Sequence, residues 1–341
     1  MTEPKPKIAG YTPFGHPIMD YCGVLTASMP NGTIIRDWSV TSGWEAEDTK
    51  RFRRQPSAYE HKWEENFKKN FPNIKESFKR GRPFSEGVHA GETCYLTADG
   101  ASLSRNGDLL IGQDNVIETN RVYPGVQPKY YVSLDCGFPS GGADPSWVRD
   151  IDTDKTIAVC SVFNRPAMAE QFKRVWWFDA WGKGNRISKK VDKRRPFVNT
   201  LDTALNVSFT ALNLAYTLGY SKIVLAGFDY AFTDGCNHFT DDKPMLKWIN
   251  GELNVLTEEL RILSLKEEQL VQFNGHITVN ELKLAMMYFL TECWFLVQSG
   301  VEIVNCTEGG IIDVPFIKNE PLSKHITKTP NKKESEACLQ T

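Results

Sequence analysis

The sequence has little net charge and no long apolar run, and these two absences exclude whole classes of protein. Its 40 Lys and Arg residues nearly balance 42 Asp and Glu residues, which gives a net charge of −2 and a pI near 6.3. No global basic field therefore favours nucleic acid as a partner. No apolar run approaches the roughly 20 residues of a membrane-spanning helix, so the sequence predicts no membrane span.

The eight cysteines contain no CxxC pair and no paired spacing, which argues against a disulfide framework. No signal peptide precedes them, and we therefore expect reduced thiols and a cytoplasmic location. Internal repeats are also absent. A length of 341 residues suffices for one large α/β domain with an extension, or for two domains.

A helix followed by a buried strand is predicted in the middle of the chain. Asn206 and Ser208 suit a helix start, because their side chains can satisfy free backbone N–H groups. Apolar residues then recur at helical spacing until Gly219, which supplies a C-terminal stop. The unbroken apolar run of residues 223–226 is typical of a strand covered on both faces.

Polar side chains surround this helix–strand unit where a ligand would bind. Asp229 comes just past the strand, and His238 follows in a loop rich in Gly and Asp. In an open α/β sheet, ligands bind at the carboxyl ends of the strands and at helix N-termini. The segment therefore predicts an anion-binding cleft at Asn206, Ser208 and Asp229, with a titratable imidazole from His238 above it.

Three strands are predicted before residue 136, and each leads to short polar residues. The first, residues 93–97, is followed by Asp99 and Ser102. The second, residues 108–112, is followed by Asn115, and the third, residues 130–134, by Asp135. The small residues of the DGASL turn (99–103) would let a ligand approach the backbone. The pattern predicts an α/β fold with a doubly wound sheet, whose active edge carries these side chains.

The rest of the chain divides into an N-terminal extension (1–90), a main domain (91–318) and a mobile tail (319–341). Two short helices split by Pro72 are predicted between residues 45 and 79, as an amphipathic cap or, alternatively, a substrate lid or partner surface. Residues 246–272 and 279–299 are predicted as helices, and residues 301–304 as the last strand. A polar turn containing Thr307 and Glu308 follows that strand.

A basic segment, residues 183–195, contains seven Lys and Arg side chains between Lys183 and Arg195. One interpretation is that this segment is a charged loop in contact with solvent, which binds no ligand. Its alternative roles are contact with donor phosphates or with a polyanionic acceptor such as DNA.

Several motifs resemble the MptE-like domain in order and spacing. They are DGASL (99–103), Asn115, QPKYYVSLD (127–135), NVSFTALNLAYTLGYSKIVLAGFDY (206–230) and NCTEGG (305–310). That domain is shared by archaeal 6-hydroxymethylpterin diphosphokinases and by motility accessory factors, which are regarded as flagellin glycosyltransferases. The segment also resembles the bacterial sialyltransferase fold, which uses CMP-activated sugars. The first turn departs from the family pattern, because Asp99 and Ala101 replace the usual residues.

The resemblance implies a Rossmann-like domain, mostly parallel, with a nucleotide across the strand ends. By position it implies a nucleotide pocket lined by Asp99, Gly100 and Ser102, base or ribose contacts from Asn115 and Asp135, phosphate contacts from Asn206 and Ser208, and a far side closed by Thr307 and Glu308.

Three functions follow as hypotheses. The favoured one is a glycosyltransferase that uses a CMP- or UDP-sugar and needs no cofactor or metal, with His238 as base and Asp229 orienting it or binding the sugar. Its acceptor would be protein, glycan or a modified DNA base. The second is a diphosphokinase of a pterin-like alcohol with Mg²⁺ held by Asp99, Asp135 and Asp229. The third is a nucleotide-binding protein without turnover.

Overall fold

The computed structural model describes residues 7–11, 17–21, 24–28, 34–36, 56–79, 87–135, 143–179, 199–200, 206–241, 243–249, 252–255, 270–273 and 275–327. The chain divides into two compact units, residues 1–64 and 65–341. The basic segment 183–195 lies outside the described residues, so its predicted contacts with phosphates or a polyanion remain predictions.

The first unit contains a small antiparallel sheet. Its strands β1 (Lys7–Tyr11), β2 (Pro17–Tyr21), β3 (Val24–Ser28) and β4 (Ile34–Arg36) lie side by side in chain order. Helix α1 (Pro56–Lys79) begins in this unit and ends in the second.

The prediction of two short helices split at Pro72 was wrong, because α1 continues through this proline. Proline removes one backbone hydrogen bond from a helix and disturbs the preceding turn. Packing around it offsets this cost: Asn70 donates to the carbonyls of Val162 and Asn164, and Ile74 is 1% exposed. Tertiary contacts thus hold one continuous helix where local preference favours a break.

The second unit is built on a parallel sheet. In the part of the chain that the structure describes, nine strands follow the order β10–β9–β8–β7–β6–β5–β11–β16–β17, and each neighbouring pair is parallel. These strands are β5 (Thr93–Thr97), β6 (Val116–Thr119), β7 (Tyr130–Ser133), β8 (Ile157–Ser161), β9 (Arg174–Asp179), β10 (Asn199–Thr200), β11 (Lys222–Ala226), β16 (Glu302–Asn305) and β17 (Lys318–Asn319). The order reverses between β5 and β11, where ligands bind in such sheets.

The second unit also contains helices and hairpins. Helix α2 (Pro166–Ala169) lies between β8 and β9, and helix α3 (Val207–Thr217) precedes β11. Two antiparallel hairpins, β12 (Leu246–Ile249) with β13 (Glu252–Val255) and β14 (Leu270–Phe273) with β15 (His276–Val279), lead to helix α4 (Asn280–Gln298).

Apolar residues cover both faces of the sheet. On one face, Leu96, Ile117 and Leu225 pack against α3 and α4 residues such as Leu214 and Phe289, all fully buried. On the other face, Tyr95, Val116 and Val224 pack against Leu103 and Leu110 from two 3-10 helices. The fold is therefore an α/β, Rossmann-like, doubly wound parallel sheet with a helical N-terminal segment, as predicted.

Three local predictions were corrected. Residues 107–110 form a 3-10 helix (Gly107–Leu110) rather than a strand, and the strand follows at Val116–Thr119. The described parts of 246–272 are strands rather than a helix. Residues 319–327, at the start of the predicted tail, pack on the domain: β17 pairs with β16, and Leu322 is fully buried.

Within the described residues, none of the helices combines the length and the hydrophobicity that crossing a membrane would require. The described cysteines Cys94, Cys160, Cys236, Cys293 and Cys306 carry free thiols. The cytoplasmic location stays a prediction.

Candidate functional site

A cavity of about 480 Å³ lies where β5, β6 and β11 end and α3 begins. Helix α3, the loop that contains His238, and the start of α4 enclose it. The polar lining consists of Asp99, Gly100, Asn120, Asn206, Ser208, Asp229, Asn237 and His238, and the apolar lining includes Ala98, Val207, Phe228, Tyr230, Ala231, Phe232, Val279 and Leu282. The carboxyl edge predicted from the sequence therefore carries the cavity.

The N-terminus of α3 forms one wall. The Asn206 side-chain oxygen accepts a hydrogen bond of 2.7 Å from the Ser208 N–H, so Asn206 is the N-cap. This arrangement confirms the predicted helix start. Because aligned peptide dipoles give a helix N-terminus the equivalent of about half a positive charge, this wall suits a phosphate or another anion.

The turn after β5 is closed against the end of β11. The Asp229 carboxylate accepts hydrogen bonds from the Ser102 N–H at 2.9 Å and from the Ser102 hydroxyl. A Cβ atom on Gly100 would lie 2.4 Å from the Gly227 carbonyl oxygen and 2.5 Å from the Asp229 carboxylate, so only glycine fits there. Ser102 was predicted to line the nucleotide pocket, but it is fully buried and lies outside the cavity lining. It supports the turn through its hydrogen bonds to Asp229.

Asp229 is 2% exposed, although part of it reaches the cavity. Desolvation raises the pKa of its carboxyl group, against the lowering effect of hydrogen bonds from Ser102 and Thr233 and of the charge on Arg105. The carboxylate is thus held by Ser102. The carboxylate that contacts the His238 ring is that of Asp99, and an orienting or sugar-binding role of Asp229 stays a prediction.

Backbone contacts attach the His238 loop to the β5 turn. Gly100 and His238 form an isolated antiparallel bridge, and the Phe239 N–H donates to the Asp99 carbonyl at 3.2 Å. The Asp241 carboxylate accepts from the Asn237 and His238 N–H groups, each at 2.8 Å. The loop that carries the imidazole is therefore held at the cavity through its backbone groups.

Asp99 lies between two basic side chains. Its Oδ2 atom is 2.9 Å from Arg121 Nη1 and 3.2 Å from His238 Nδ1. The contact with His238 has the distance of an ion pair but not the direction of a well-aligned hydrogen bond. Desolvation opposes ionisation of Asp99, yet its pKa is lowered because His238, Arg121 and Asn120 stabilise the carboxylate.

Asn115 lies at the opposite edge of the sheet, and its predicted location was wrong. It precedes β6, with φ +58°, and its amide nitrogen donates to Glu92 at 2.7 Å, beside the start of β5. The residue that does follow β6 is Asn120, which lines the cavity. Because parallel strands present their two ends at opposite edges, a shift of the strand moved the predicted residue to the wrong edge.

Asp135 follows β7 at the same edge as Asp99, outside the cavity lining. Its side chain remains open to solvent, but desolvation by the surrounding protein raises its pKa, with a smaller contribution from the charge on Asp99. The predicted contact with base or ribose stays a prediction.

Thr307 and Glu308 support the cavity from outside its lining. The Thr307 hydroxyl accepts a hydrogen bond of 3.2 Å from the Phe228 N–H. The Glu308 carboxylate accepts from the Asn106 amide at 2.9 Å and from the Leu322 N–H at 3.0 Å. These groups hold the end of β11 and the C-terminal segment, and their predicted role in closing a ligand site stays a prediction.

Sequence reasoning missed three polar residues of the site: Asn120, Asn237 and Arg121. Asn120 follows the run VIET, which would have marked it as a strand-end residue had that run been taken as the strand. Arg121 and Asn237 became relevant only through contacts with Asp99 and His238, which no local pattern predicts.

The three carboxylates of the kinase hypothesis do not form a metal-binding group. Asp99 contacts Arg121 and His238, whereas Asp229 contacts Ser102. In the described residues, no set of three or more His, Cys, Asp or Glu side chains is arranged to hold a metal ion.

No protein-family model matches the chain, and no curated protein matches it. Among solved structures, the chain is similar to the MAf glycosyltransferase from Magnetospirillum magneticum AMB-1, with 16% sequence identity and a TM-score of 0.48 over 77% of this chain. The matched part spans 40% of that protein's chain. A likeness this distant assigns no function, and membership of the MptE-like family stays a prediction.

Proposed function

We propose that the chain is a glycosyltransferase that moves a sugar from a nucleotide-activated donor to a hydroxyl acceptor. The proposal is carried by one observation: a helix N-terminus and a histidine face the same cavity of about 480 Å³ at the strand ends. That volume lies within the range of about 300–1,000 Å³ that is usual for small-molecule sites. The helix N-terminus suits a phosphate, and the histidine suits the proton of a hydroxyl group.

The donor would lie with its phosphate at the start of α3. Ser208, which is 7% exposed, lines the cavity at this position. The helix dipole favours negative charge there. The amide groups of Asn120 and Asn237 also line the cavity, and amides pair with the hydroxyl groups of a sugar or with the edge of a base. CMP- and UDP-sugars are both candidate donors.

In the proposed reaction, His238 Nε2 takes the proton of the acceptor hydroxyl. The acceptor oxygen attacks the anomeric carbon of the donor, and a new C–O bond forms as the bond from that carbon to the phosphate oxygen breaks. The nucleotide leaves with the bonding electron pair, and the N-terminus of α3 stabilises its negative charge. The imidazolium ion then releases its proton to solvent.

The contacts of the acidic residues favour this function over a pterin-alcohol diphosphokinase. A kinase needs Mg²⁺ held by carboxylates that bridge to the nucleotide phosphates. Here Arg121 forms an ion pair with Asp99, which also lies beside His238, while Ser102 holds the Asp229 carboxylate. Asp135 lies outside the cavity lining.

The test is nucleotide release from CMP- and UDP-sugars, with ATP consumption on a pterin-type alcohol measured in parallel. We expect nucleotide release by the wild type without added Mg²⁺ and a loss of about a hundredfold in His238→Ala, because a general base contributes about 10²–10⁴-fold. His276→Ala is the matched control, since His276 lies on β15 outside the cavity lining.

Two other outcomes would contradict the proposal. Strict Mg²⁺ dependence with ATP turnover would support the kinase instead. Nucleotide binding without turnover of any donor would indicate a binding protein.

A further inference from the structure

We propose that Asp99 is the residue that positions His238, by holding the imidazole in the tautomer that leaves Nε2 free to act as the base. The inference rests on the proposed function for its catalytic meaning, but its structural content can be tested without any substrate. Asp99 is one of the two residues by which the first turn departs from the MptE-like pattern, and this inference gives its side chain a role.

The contact between the two side chains is enclosed. The Asp99 side chain is 12% exposed, and the His238 side chain is 27% exposed. Asp99 Oδ2 lies 3.2 Å from His238 Nδ1, which is itself buried. A carboxylate beside Nδ1 favours a proton on that nitrogen, and the lone pair of a neutral imidazole is then on Nε2.

The second ring nitrogen has a complementary partner. The Asn237 amide nitrogen is 2.9 Å from His238 Nε2, and as a donor it requires that Nε2 accept. Both contacts therefore select the same tautomer, with the proton on Nδ1. An acceptor hydroxyl entering the cavity would take the place of the Asn237 amide at Nε2.

Arg121 contacts the same oxygen of the Asp99 carboxylate as His238 does. Its Nη1 atom lies 2.9 Å from Asp99 Oδ2, and its guanidinium group lies 5.0 Å from the ring centre of Trp147. The Val122 N–H donates to the Trp147 carbonyl at 3.3 Å, so the same segment is also fixed through its backbone. A charged, stacked arginine keeps the neighbouring carboxylate ionised and in one place.

Asp229 does not compete for this role. Its carboxylate accepts both donors of Ser102, and the residue is 2% exposed. Asp99 and Asp229 therefore make a matched pair of acidic residues at one cavity, of which one contacts the histidine and the other contacts a serine.

The test is the tautomer of His238, read from long-range ¹H–¹⁵N NMR spectra of the full chain labelled at histidine, at a pH where the ring is neutral. The chain has 6 histidines, and His238→Gln assigns the signal. We expect the wild type to hold the proton on Nδ1. In Asp99→Asn, the Nδ1–H population should fall by at least about twofold, whereas Asp99→Glu should restore it by keeping the carboxylate.

Asp229→Asn is the matched control and should lower stability without changing the tautomer. An unchanged tautomer in Asp99→Asn, or an equal change in Asp229→Asn, would overturn the inference. If Asp99→Asn fails to fold, Arg121→Gln replaces it, because loss of the guanidinium releases the carboxylate and should also lower the Nδ1–H population.

Donor turnover separates this inference from the proposed function. We expect kcat to fall by about tenfold to hundredfold in Asp99→Asn with little change in KM, because the base is misplaced while donor contacts remain. A wild type that shows the Nδ1–H tautomer but turns over no donor would refute the glycosyltransferase and leave the positioning role of Asp99 standing.

Discussion

Glu118 makes the stability of the protein depend on pH in a direction that can be calculated. This residue lies in the middle of β6 and is 1% exposed, so its carboxyl group is surrounded by protein. Desolvation raises its pKa from the usual 4.5 to about 8, with a further upward contribution from the charge on Asp99. Glu118 is therefore mostly protonated at neutral pH in the folded protein.

The sign follows from proton binding. Between pH 4.5 and about 8 the folded chain holds a proton on Glu118 that the unfolded chain has lost, so the free energy of unfolding falls as the pH rises. Each pKa unit corresponds to about 1.4 kcal/mol. The stability present below pH 4.5 thus decreases by about 3 kcal/mol at pH 7 and by about 5 kcal/mol above pH 8.

Glu118→Gln removes this titration while nearly preserving side-chain shape. The free energy of unfolding, measured with a chemical denaturant, should differ little between variant and wild type at pH 5. By pH 8 the variant should be more stable by about 3 kcal/mol relative to that starting difference. Titrating groups that do not interact with Glu118 contribute equally to both proteins and cancel.

The exposed Glu170 provides the control, because Glu170→Gln removes one carboxyl group of the same type from the surface of the protein. A constant difference between Glu118→Gln and wild type from pH 5 to pH 8 would mean that Glu118 titrates alike in the folded and unfolded chains, contrary to this prediction.

Two further predictions concern the turn that forms the cavity wall. Gly100→Ala should lower the free energy of unfolding by about 1–3 kcal/mol in chemical denaturation, because its Cβ would lie 2.4 Å from the Gly227 carbonyl oxygen, which cannot move aside; unchanged stability would show that the turn is looser than described. Ser102→Ala should cost about 1–3 kcal/mol by the same measurement, because the buried Asp229 carboxylate would lose one donor. A cost for Ser102→Ala that does not shrink in the Asp229→Asn background would contradict the pairing.

The sequence predicted the elements whose signals are local. The cap at Asn206 and the stop at Gly219 bounded α3, and the apolar runs of β5 and β11 marked two central strands. Because parallel strands align their carboxyl ends, these elements placed Asp99, Ser208 and Asp229 together without any knowledge of tertiary contacts.

The misplaced strand has a specific cause. The apolar residues of DLLIG favoured a strand at 108–112, whereas the strand in the structure, VIET, contains Glu118, a residue that is usually charged. A glutamate argues against a buried strand unless it is neutral in the fold, and that neutrality depends on burial that only the tertiary structure supplies. Because the strand was misplaced, Asn115 was predicted at the wrong edge of the sheet, and Asn120 was not recognised as the residue that follows the strand.

The pairing of Asp99 with His238 was also beyond local pattern. The two residues are far apart in sequence, and they meet because the Gly100–His238 bridge folds the loop back onto the β5 turn. Sequence spacing favoured Asp229 as the partner, since it is nearer along the chain. The described strands between 246 and 273 show the same limit, because an isolated Leu-rich pattern does not separate a hairpin from a helix.

Binding of a nucleotide phosphate at the start of α3 can be separated from helix capping by paired substitutions of Asn206. Aspartate and serine both cap helices, so Asn206→Asp and Asn206→Ser should each fold with nearly wild-type stability. Only the aspartate adds a negative charge where the phosphate would bind.

The measurement is the thermal shift produced by CMP, UDP and their sugar conjugates. At a hundredfold excess over Kd, a ligand that binds only the folded chain raises its stability by about 2.7 kcal/mol. We predict such a shift in the wild type and in Asn206→Ser, and a Kd at least about tenfold weaker in Asn206→Asp. Equal nucleotide binding by the two variants, or no binding by the wild type, would contradict the account.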